Sequence, residues 1–341
     1  MKKQYKRGLL LGKFMPLHKG HQHLISSGYD KCDHLTVLAC SLSKEPIPGY
    51  LRARWVKEYC NKLDTSISVV DMRENLPQLP EEHEKFWEIW CDVINRSAPN
   101  GLDVIFSSED YGFELAKRLG IKHELIDKER KTVPISGTAI RNNPFDNWQF
   151  IPNHVKPYFL HRIYFLGPES TGKSTISKLL SEEEEFETNW VPEYGRILYE
   201  KNVGELSLMD FHEIVIKQRE IEQQLAERCS KQFMFCDTEV ITTKIFSKLY
   251  YPKESVKLNH FFNYHIKKQL DNNCHFFIMH PDGTKSVQDG TRNYIKDKER
   301  LKHFTKIISE LKNWNVSYTI LTGEYNDRIQ TVKNYLKNIV Q

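Results

Sequence analysis

Residues Gly167 to Thr175, GPESTGKST, set two glycines, a lysine and a serine at the spacing G-x-x-x-x-G-K-[ST]. An apolar run, Ile163 to Leu166, precedes them and a helix-like Ile176 to Leu180 follows, so the motif has the strand-loop-helix setting its chemistry requires. Gly167 and Gly172 let the chain wrap, and the amides of Glu169, Ser170 and Thr171 can then point inward at an anion. The helix start, where Thr175 lies, adds partial positive charge. In such a loop Lys173 reaches the β- and γ-phosphates and the Ser174 hydroxyl holds Mg²⁺. The expectation is an ATP site.

A second constellation lies near the N-terminus. Gly12 to His21 reads G-x-F-x-P-x-H-x-G-H, and Lys13 and Phe14 fall inside it. His18 and His21, three residues apart where a helix begins, can face one phosphate chain. Both can donate hydrogen bonds to phosphate oxygens as charge develops there. Gly12 permits close backbone approach, and Pro16 fixes the turn. A metal pair is the competing reading, but no carboxylate sits at ligand spacing nearby.

Further along, Asp237 ends the apolar run Phe233 to Cys236, where a carboxylate would organise Mg²⁺ and its water. Glu193 ends an earlier strand, near where a substrate hydroxyl would sit. Either carboxylate could accept the hydroxyl proton during attack on the γ-phosphate. We assign Asp237 to metal and Glu193 to substrate or base, although an Asp that caps a helix after a strand has the same pattern. Arg196, Arg292 and Arg300 are candidates for the charge over ATP, with surface ion pairs as the alternative. Trp90 and Tyr111 are candidate ring contacts in the first half, against a plain core role. Tyr194, Tyr250, Tyr251 and Tyr294 are the corresponding rings in the second.

These residues need scaffolds, and the chain supplies two. Its 341 residues suggest two domains, since one usually takes ~100–200. Hydrophobic residues at 39% and charged ones at 28% describe an ordinary globular protein, and a net charge of +4 on interleaved signs gives no nucleic-acid footprint. Seven cysteines without C-x-x-C or zinc spacing read as reduced thiols of a cytoplasmic protein. The run Leu9 to Leu11 is too short for a signal peptide, and nothing approaches the ~18 apolar residues of a membrane span. Strand patterns at 8–11, 34–40, 67–71, 103–106 and near 125 alternate with helical ones, among them 51–63 and 81–94. The alternation repeats from 161–166 through 190–191, 233–236, 276–279 and 316–321. Two doubly wound parallel-sheet α/β domains follow, with ligands at the carboxyl ends of the strands. The proline- and aromatic-bearing stretch 146–160 reads as a packed linker between domains 1–145 and 161–341.

The string from Gly12 to His21 resembles the signature of the nucleotidylyltransferase superfamily, and ISGTAIR, from Ile135 to Arg141, resembles its second signature, I-S-x-T-x-x-R. The resemblance implies a nucleotidylyltransferase-type Rossmann-like first domain. It also implies that Ser136, Thr138 and Arg141 hold the β- and γ-phosphates of ATP; Gly137 stands where a serine is common. Together with PISGTAIRNNPFDNWQFIPNHVKPYF, GPESTGKST, EYGR and CDTE, the pair resembles the bacterial bifunctional nicotinamide-nucleotide adenylyltransferase and ribosylnicotinamide kinase of the NadR type. That resemblance spans about residues 7 to 338. It makes the second half a P-loop kinase domain and places Asp289, in VQDGTR, near the nucleoside with Glu193, Tyr194 and Arg196.

The implied chemistry is salvage. Nicotinamide riboside is phosphorylated to nicotinamide mononucleotide, which takes an adenylyl group from ATP to give NAD, with Mg²⁺ in attendance. A homo-oligomer is suggested, and neither nucleic acid nor membrane is an expected partner. The first strand begins by about Gly8, leaving no room for the helix-turn-helix domain of repressor members. A coenzyme A synthase-like fusion of the same two domain types, and a nucleotide sensor with one weak catalytic half, are the competing readings.

Overall fold

Leu9 and Leu10 are wholly buried, as an apolar strand covered on both faces must be, and they lie in the middle strand of a sheet. The computed structural model describes residues 3–282 and 297–340. The chain divides into two compact units, Met1–Val155 and Lys156–Gln341. In the first, β1 (Tyr5–Gly12), β2 (Cys32–Cys40), β3 (Ser68–Met72), β4 (Val104–Ser107) and β5 (Lys122–Leu125) form a parallel sheet in the order β3-β2-β1-β4-β5. Strand order reverses between β1 and β4, so a crevice opens at their carboxyl ends. Its helices are α1 (Lys19–Lys31), α2 (Gly49–Leu63), α3 (Phe86–Ser97), α4 (Tyr111–Leu119) and α5 (Gly137–Asn142). Leu9, Leu38 and Ile105 of the sheet pack on Trp90 and Ile94 of α3 and Leu115 of α4.

The helical pattern at 81–94 starts late. Pro80–Glu82 makes a lone 3₁₀ turn, His83 is extended, and α3 begins only at Phe86. Glu82 folds back to accept the Gln78 amide at 2.7 Å, which closes the turn on itself instead of extending it.

The second unit repeats the architecture. Strands β6 (His161–Leu166), β7 (Trp190–Val191), β8 (Phe233–Cys236), β9 (Cys274–Met279) and β10 (Tyr318–Leu321) are parallel, in the order β10-β9-β6-β8-β7. Around them lie α6 (Lys173–Glu182), α7 (Tyr194–Lys201), α8 (Leu208–Arg228), α9 (Val240–Tyr250), α10 (Asn259–Leu270), α11 (Asp297–Asn313) and α12 (Tyr325–Val340). On one face Ile163, Phe165 and Phe277 meet Leu180 of α6 and Leu336 of α12. On the other, the Tyr164 hydroxyl donates to the buried Glu222 of α8 at 2.9 Å. Lys244 of α9 pairs with Glu310 of α11 and lies 5.4 Å from the Trp314 ring centre.

The division at 155/156 falls inside the stretch read as a linker. Trp148, Ile151 and Val155 are buried in the first unit, where a His154 ring nitrogen lies 3.1 Å from the Trp55 carbonyl. Pro157 belongs to the second, its carbonyl accepting from Arg162 at 3.2 Å. Of its aromatics, Trp148 is buried, and Phe150, Tyr158 and Phe159 are half-buried. All seven cysteines are free thiols, five of them buried.

Candidate active sites

The first site grows from the end of β1. His18 caps α1, its Nδ1 accepting the His21 amide at 3.3 Å, which leaves the ring proton on Nε2. The two imidazoles stack with centroids 3.7 Å apart, and Phe14 meets His21 edge-on at 4.9 Å. Phe14 is therefore a buried prop beneath the histidines. Across from them Ser136 caps α5 by accepting the Ala139 amide at 3.1 Å. Arg141 donates to the Met15 carbonyl at 2.5 Å and to the Thr138 hydroxyl at 3.0 Å, tying the second signature to the first. Gly137 has a structural reason: a Cβ there would lie 2.7 Å from the Met15 carbonyl oxygen.

One cavity of about 600 Å³ brings these residues together. Gly12, Lys13, Phe14, His18 and His21 line one side and Ser136, Thr138 and Arg141 another, with Trp90 and Tyr111 in the same wall. Both rings are also fixed structurally. Trp90 donates from Nε1 to the Pro77 carbonyl at 2.9 Å, and the Tyr111 hydroxyl donates to the Leu11 carbonyl at 3.0 Å.

Burial dominates the electrostatics. It pushes His18 down to about 3, with the nearby Arg130 charge adding to the effect. For His21, burial, then His18, then Arg130 drive the value well below 6.5. Both rings are neutral at pH 7. Lys13 is held by Glu45 at 2.9 Å, and the same carboxylate takes the fully buried Arg52 at 2.6 Å. Burial alone would raise Glu45, but the Leu42 amide and these two cations outweigh it and keep it lowered. Glu45, Arg52 and the cavity-lining Arg130 were not singled out from the sequence; no spacing marks them.

The second site gathers at the carboxyl ends of β6, β8 and β7. Gly167, Ser170 and Gly172 carry φ values of 152°, 56° and 85°, the wrapped path a phosphate loop needs. Lys173 opens α6 and curls over the loop, donating to the carbonyls of Gly167 at 3.0 Å and Pro168 at 2.9 Å. Thr171 is buried, with its hydroxyl on the Pro168 carbonyl at 2.8 Å, whereas Ser174 is half-buried and Thr175 exposed. Glu169 is half-buried on the loop.

Asp237 is buried directly after β8, its amide on the Val191 carbonyl at 3.0 Å, and Glu193 stands two residues beyond that carbonyl. Sheet order sets Asp237 at the end of the strand next to β6 and Glu193 at the end of the strand beyond it. Tyr194 donates to Glu213 at 2.8 Å, and Arg196 forms an i,i+4 pair with Glu200 at 2.9 Å, the surface alternative foreseen for it. Arg300 is 1% exposed and its guanidinium binds the Ser170 carbonyl at 3.2 Å, so it braces the loop from behind. Asp289, Arg292 and Tyr294 lie outside the described residues. Glu239, quoted within CDTE but given no role, is a buried cap of α9 that accepts the Ile241 amide and the Thr242 amide and hydroxyl. Burial pushes its carboxyl up to about 7 against the pull of those donors.

A hydroxyl and a carboxylate offer hard oxygen donors, the set Mg²⁺ prefers when substrate phosphates complete its shell. Ser174 and Asp237 fit that requirement.

Comparison with known proteins agrees with both halves. The family model described as AAA domain matches residues 162–328. The trifunctional NAD biosynthesis/regulator protein NadR of Escherichia coli is 28% identical, across 94% of this chain and 80% of that protein. A nicotinamide-nucleotide adenylyltransferase of Pyrococcus furiosus is 26% identical over 45% of this chain and 82% of its own. A crystal structure of NadR protein in complex with NR has the same fold, with a TM-score of 0.79, 22% identity and 98% of both chains covered. Along nearly its whole length the chain is similar to the NadR proteins.

Proposed function

We propose that the chain makes NAD from nicotinamide riboside in two ATP-dependent steps, one on each unit. The observation that carries this is the pairing of two complete phosphate-binding constellations, each at the carboxyl edge of its own sheet. Relatives named for NAD biosynthesis and nicotinamide-nucleotide adenylyl transfer support the substrate class.

In the second unit the 5′-hydroxyl of the riboside attacks the γ-phosphorus of ATP. Loop amides and Lys173 hold the phosphates, and Glu193 or Asp237 takes the hydroxyl proton. Ser174 and Asp237 would hold Mg²⁺, which neutralises charge on the phosphate oxygens. Tyr194 and Tyr251 have their hydroxyls on Glu213 and the Leu206 carbonyl. Tyr250 is the more exposed ring and feels the charge of Glu169, so we assign it to the cationic nicotinamide.

In the first unit a phosphate oxygen of the mononucleotide attacks the α-phosphorus of ATP and pyrophosphate leaves. No protein nucleophile takes part. The Nε2 proton of His18, with His21, Lys13 and Arg141, meets the charge that develops on the phosphates, and Ser136 and Thr138 hold the leaving end.

The test is a product assay with Mg²⁺ and ATP, offering the riboside or the mononucleotide. NAD should form from both. Lys173→Ala should stop only the riboside route, by about 10²-fold or more, and His18→Ala should stop NAD from either. Phosphorylation of dephospho-coenzyme A in place of the riboside would overturn the reading, and tight binding with negligible turnover would make the protein a sensor.

A further inference from the structure

Arg328, in the first turn of α12, is 0% exposed, and its guanidinium is bonded to backbone carbonyls of three separate segments. Nη1 donates to the Thr171 carbonyl of the phosphate loop at 3.2 Å. Nη2 donates to the carbonyls of His280 at 3.1 Å and Asp282 at 2.5 Å, just past β9. Nε donates to the Gly323 carbonyl at 2.8 Å, in the turn before α12. Only a planar fork of donors can reach in these directions at once; an ammonium on a flexible stem cannot.

The consequence for the loop follows from peptide geometry. In a trans peptide the carbonyl of one residue points opposite to the amide of the next. Holding the Thr171 carbonyl from outside therefore turns the Gly172 amide the other way, toward the concave side of the loop. Arg300 does the same one residue earlier, since its bond to the Ser170 carbonyl turns the Thr171 amide inward. Carbonyl dipoles that would otherwise be free to rotate toward a bound anion are pinned away from it.

We propose that Arg328 is a positioning residue for ATP in the second unit, aiming the Gly172 amide at the triphosphate and tying the loop to the end of β9. Arg300 is its partner on the preceding peptide. The inference rests on the reading of this unit as an ATP-dependent kinase, not on the identity of the phosphate acceptor.

The probe is trinitrophenyl-ATP, titrated into the full chain, with the signal lost in Lys173→Ala taken as the second unit's share. Arg328→Met should weaken that share about tenfold and raise the KM for ATP in riboside phosphorylation more than the KM for the riboside. Adenylyl transfer from added mononucleotide, a reaction of the other unit, should stay within about twofold. Guanidinium ion added to Arg328→Ala should restore part of the lost affinity, which a purely structural defect would not allow. If Arg328→Met unfolds the second unit, Arg328→Lys decides. Weakened ATP binding at an unchanged melting temperature supports the proposal, and wild-type ATP binding in either variant overturns it. A wild-type chain that binds ATP through Lys173 but ignores the riboside would sink the substrate assignment alone, and the same titration would still judge Arg328.

Discussion

His18 and His21 lie ring on ring, with centroids 3.7 Å apart and planes 20° from parallel, in a wall where His18 is buried and His21 half-buried. Burial lowers both values, and the Arg130 charge lowers both further. Below about 6.5 the unfolded chain takes up protons on these residues that the folded chain refuses. Stability of the first unit is therefore complete above that value and falls as the pH drops toward 3. The slope is up to ~1.4 kcal/mol per pH unit for each histidine. Urea titrations between pH 4 and 7, as rough bounds from the same linkage, should show this slope in the wild type and about half of it in His21→Gln. An equal slope in both proteins would mean the histidine pair does not set the pH dependence.

Lys13 and Arg52 share Glu45 yet should respond differently to removal. The lysine is half-exposed, so its pair is screened and contributes at most ~1 kcal/mol. Arg52 is 1% exposed and also donates to the Lys13 carbonyl at 2.9 Å, so removing it takes a charged partner from Glu45 and leaves that carbonyl unbonded by it, at a cost of ~1–3 kcal/mol. Lys13→Met should keep the wild-type denaturation midpoint and lose about tenfold in adenylyl transfer. Arg52→Met should lose stability first. Denaturant curves and initial rates on the same preparations separate the two.

Gly137→Ser would put back the residue common in the nucleotidylyltransferase signature, and here it should do harm. Its Cβ would press on the Met15 carbonyl oxygen, which also accepts from Arg141. We expect adenylyl transfer to fall by about an order of magnitude, as a small misplacement of phosphate-binding groups does. A gain in rate would show that the backbone has room the structure denies.

Gly172→Ala addresses the other unit. With φ at 85° and the Tyr325 hydroxyl 2.6 Å from the would-be Cβ, alanine meets both backbone strain and a clash. Riboside phosphorylation should vanish while adenylyl transfer continues. Adding Tyr325→Ala removes the clash but leaves the left-handed strain of ~1–2 kcal/mol, so recovery should be partial. Full recovery in the double variant would assign the whole effect to Tyr325.

What could be read from the sequence was whatever lies in short contiguous strings. The strand before the phosphate loop, the loop itself and the capping histidine are local features, set by residues a few places apart. Even the two-residue strand Trp190–Val191 shows, because EYGR follows it. The late start of α3 does not show, since the Gln78–Glu82 bond that closes the preceding turn is a tertiary choice with no distinct pattern. Nor does Arg328, whose carbonyl partner on Thr171 is 157 positions away. The same holds for Arg52, an isolated arginine whose partners Glu45 and the Lys13 carbonyl come from two other segments. Spacing reveals groups that act on a ligand together more readily than the cations that hold them in place.

Burial pushes the thiols of Cys40, Cys60 and Cys274 up to about 12 and that of Cys32 to about 11, and it raises the other three as well. Thiolate is the form that alkylating reagents attack. At neutral pH the five buried thiols of the folded chain therefore react slowly with maleimide or iodoacetamide, and the half-buried Cys91 and Cys274 are the first to be labelled. With Cys91 and Cys274 replaced, one cysteine engineered onto an exposed helix would carry a fluorophore or spin label nearly alone, and the five buried thiols could stay. Native thiols that begin to take up label would, in turn, report that a unit had opened.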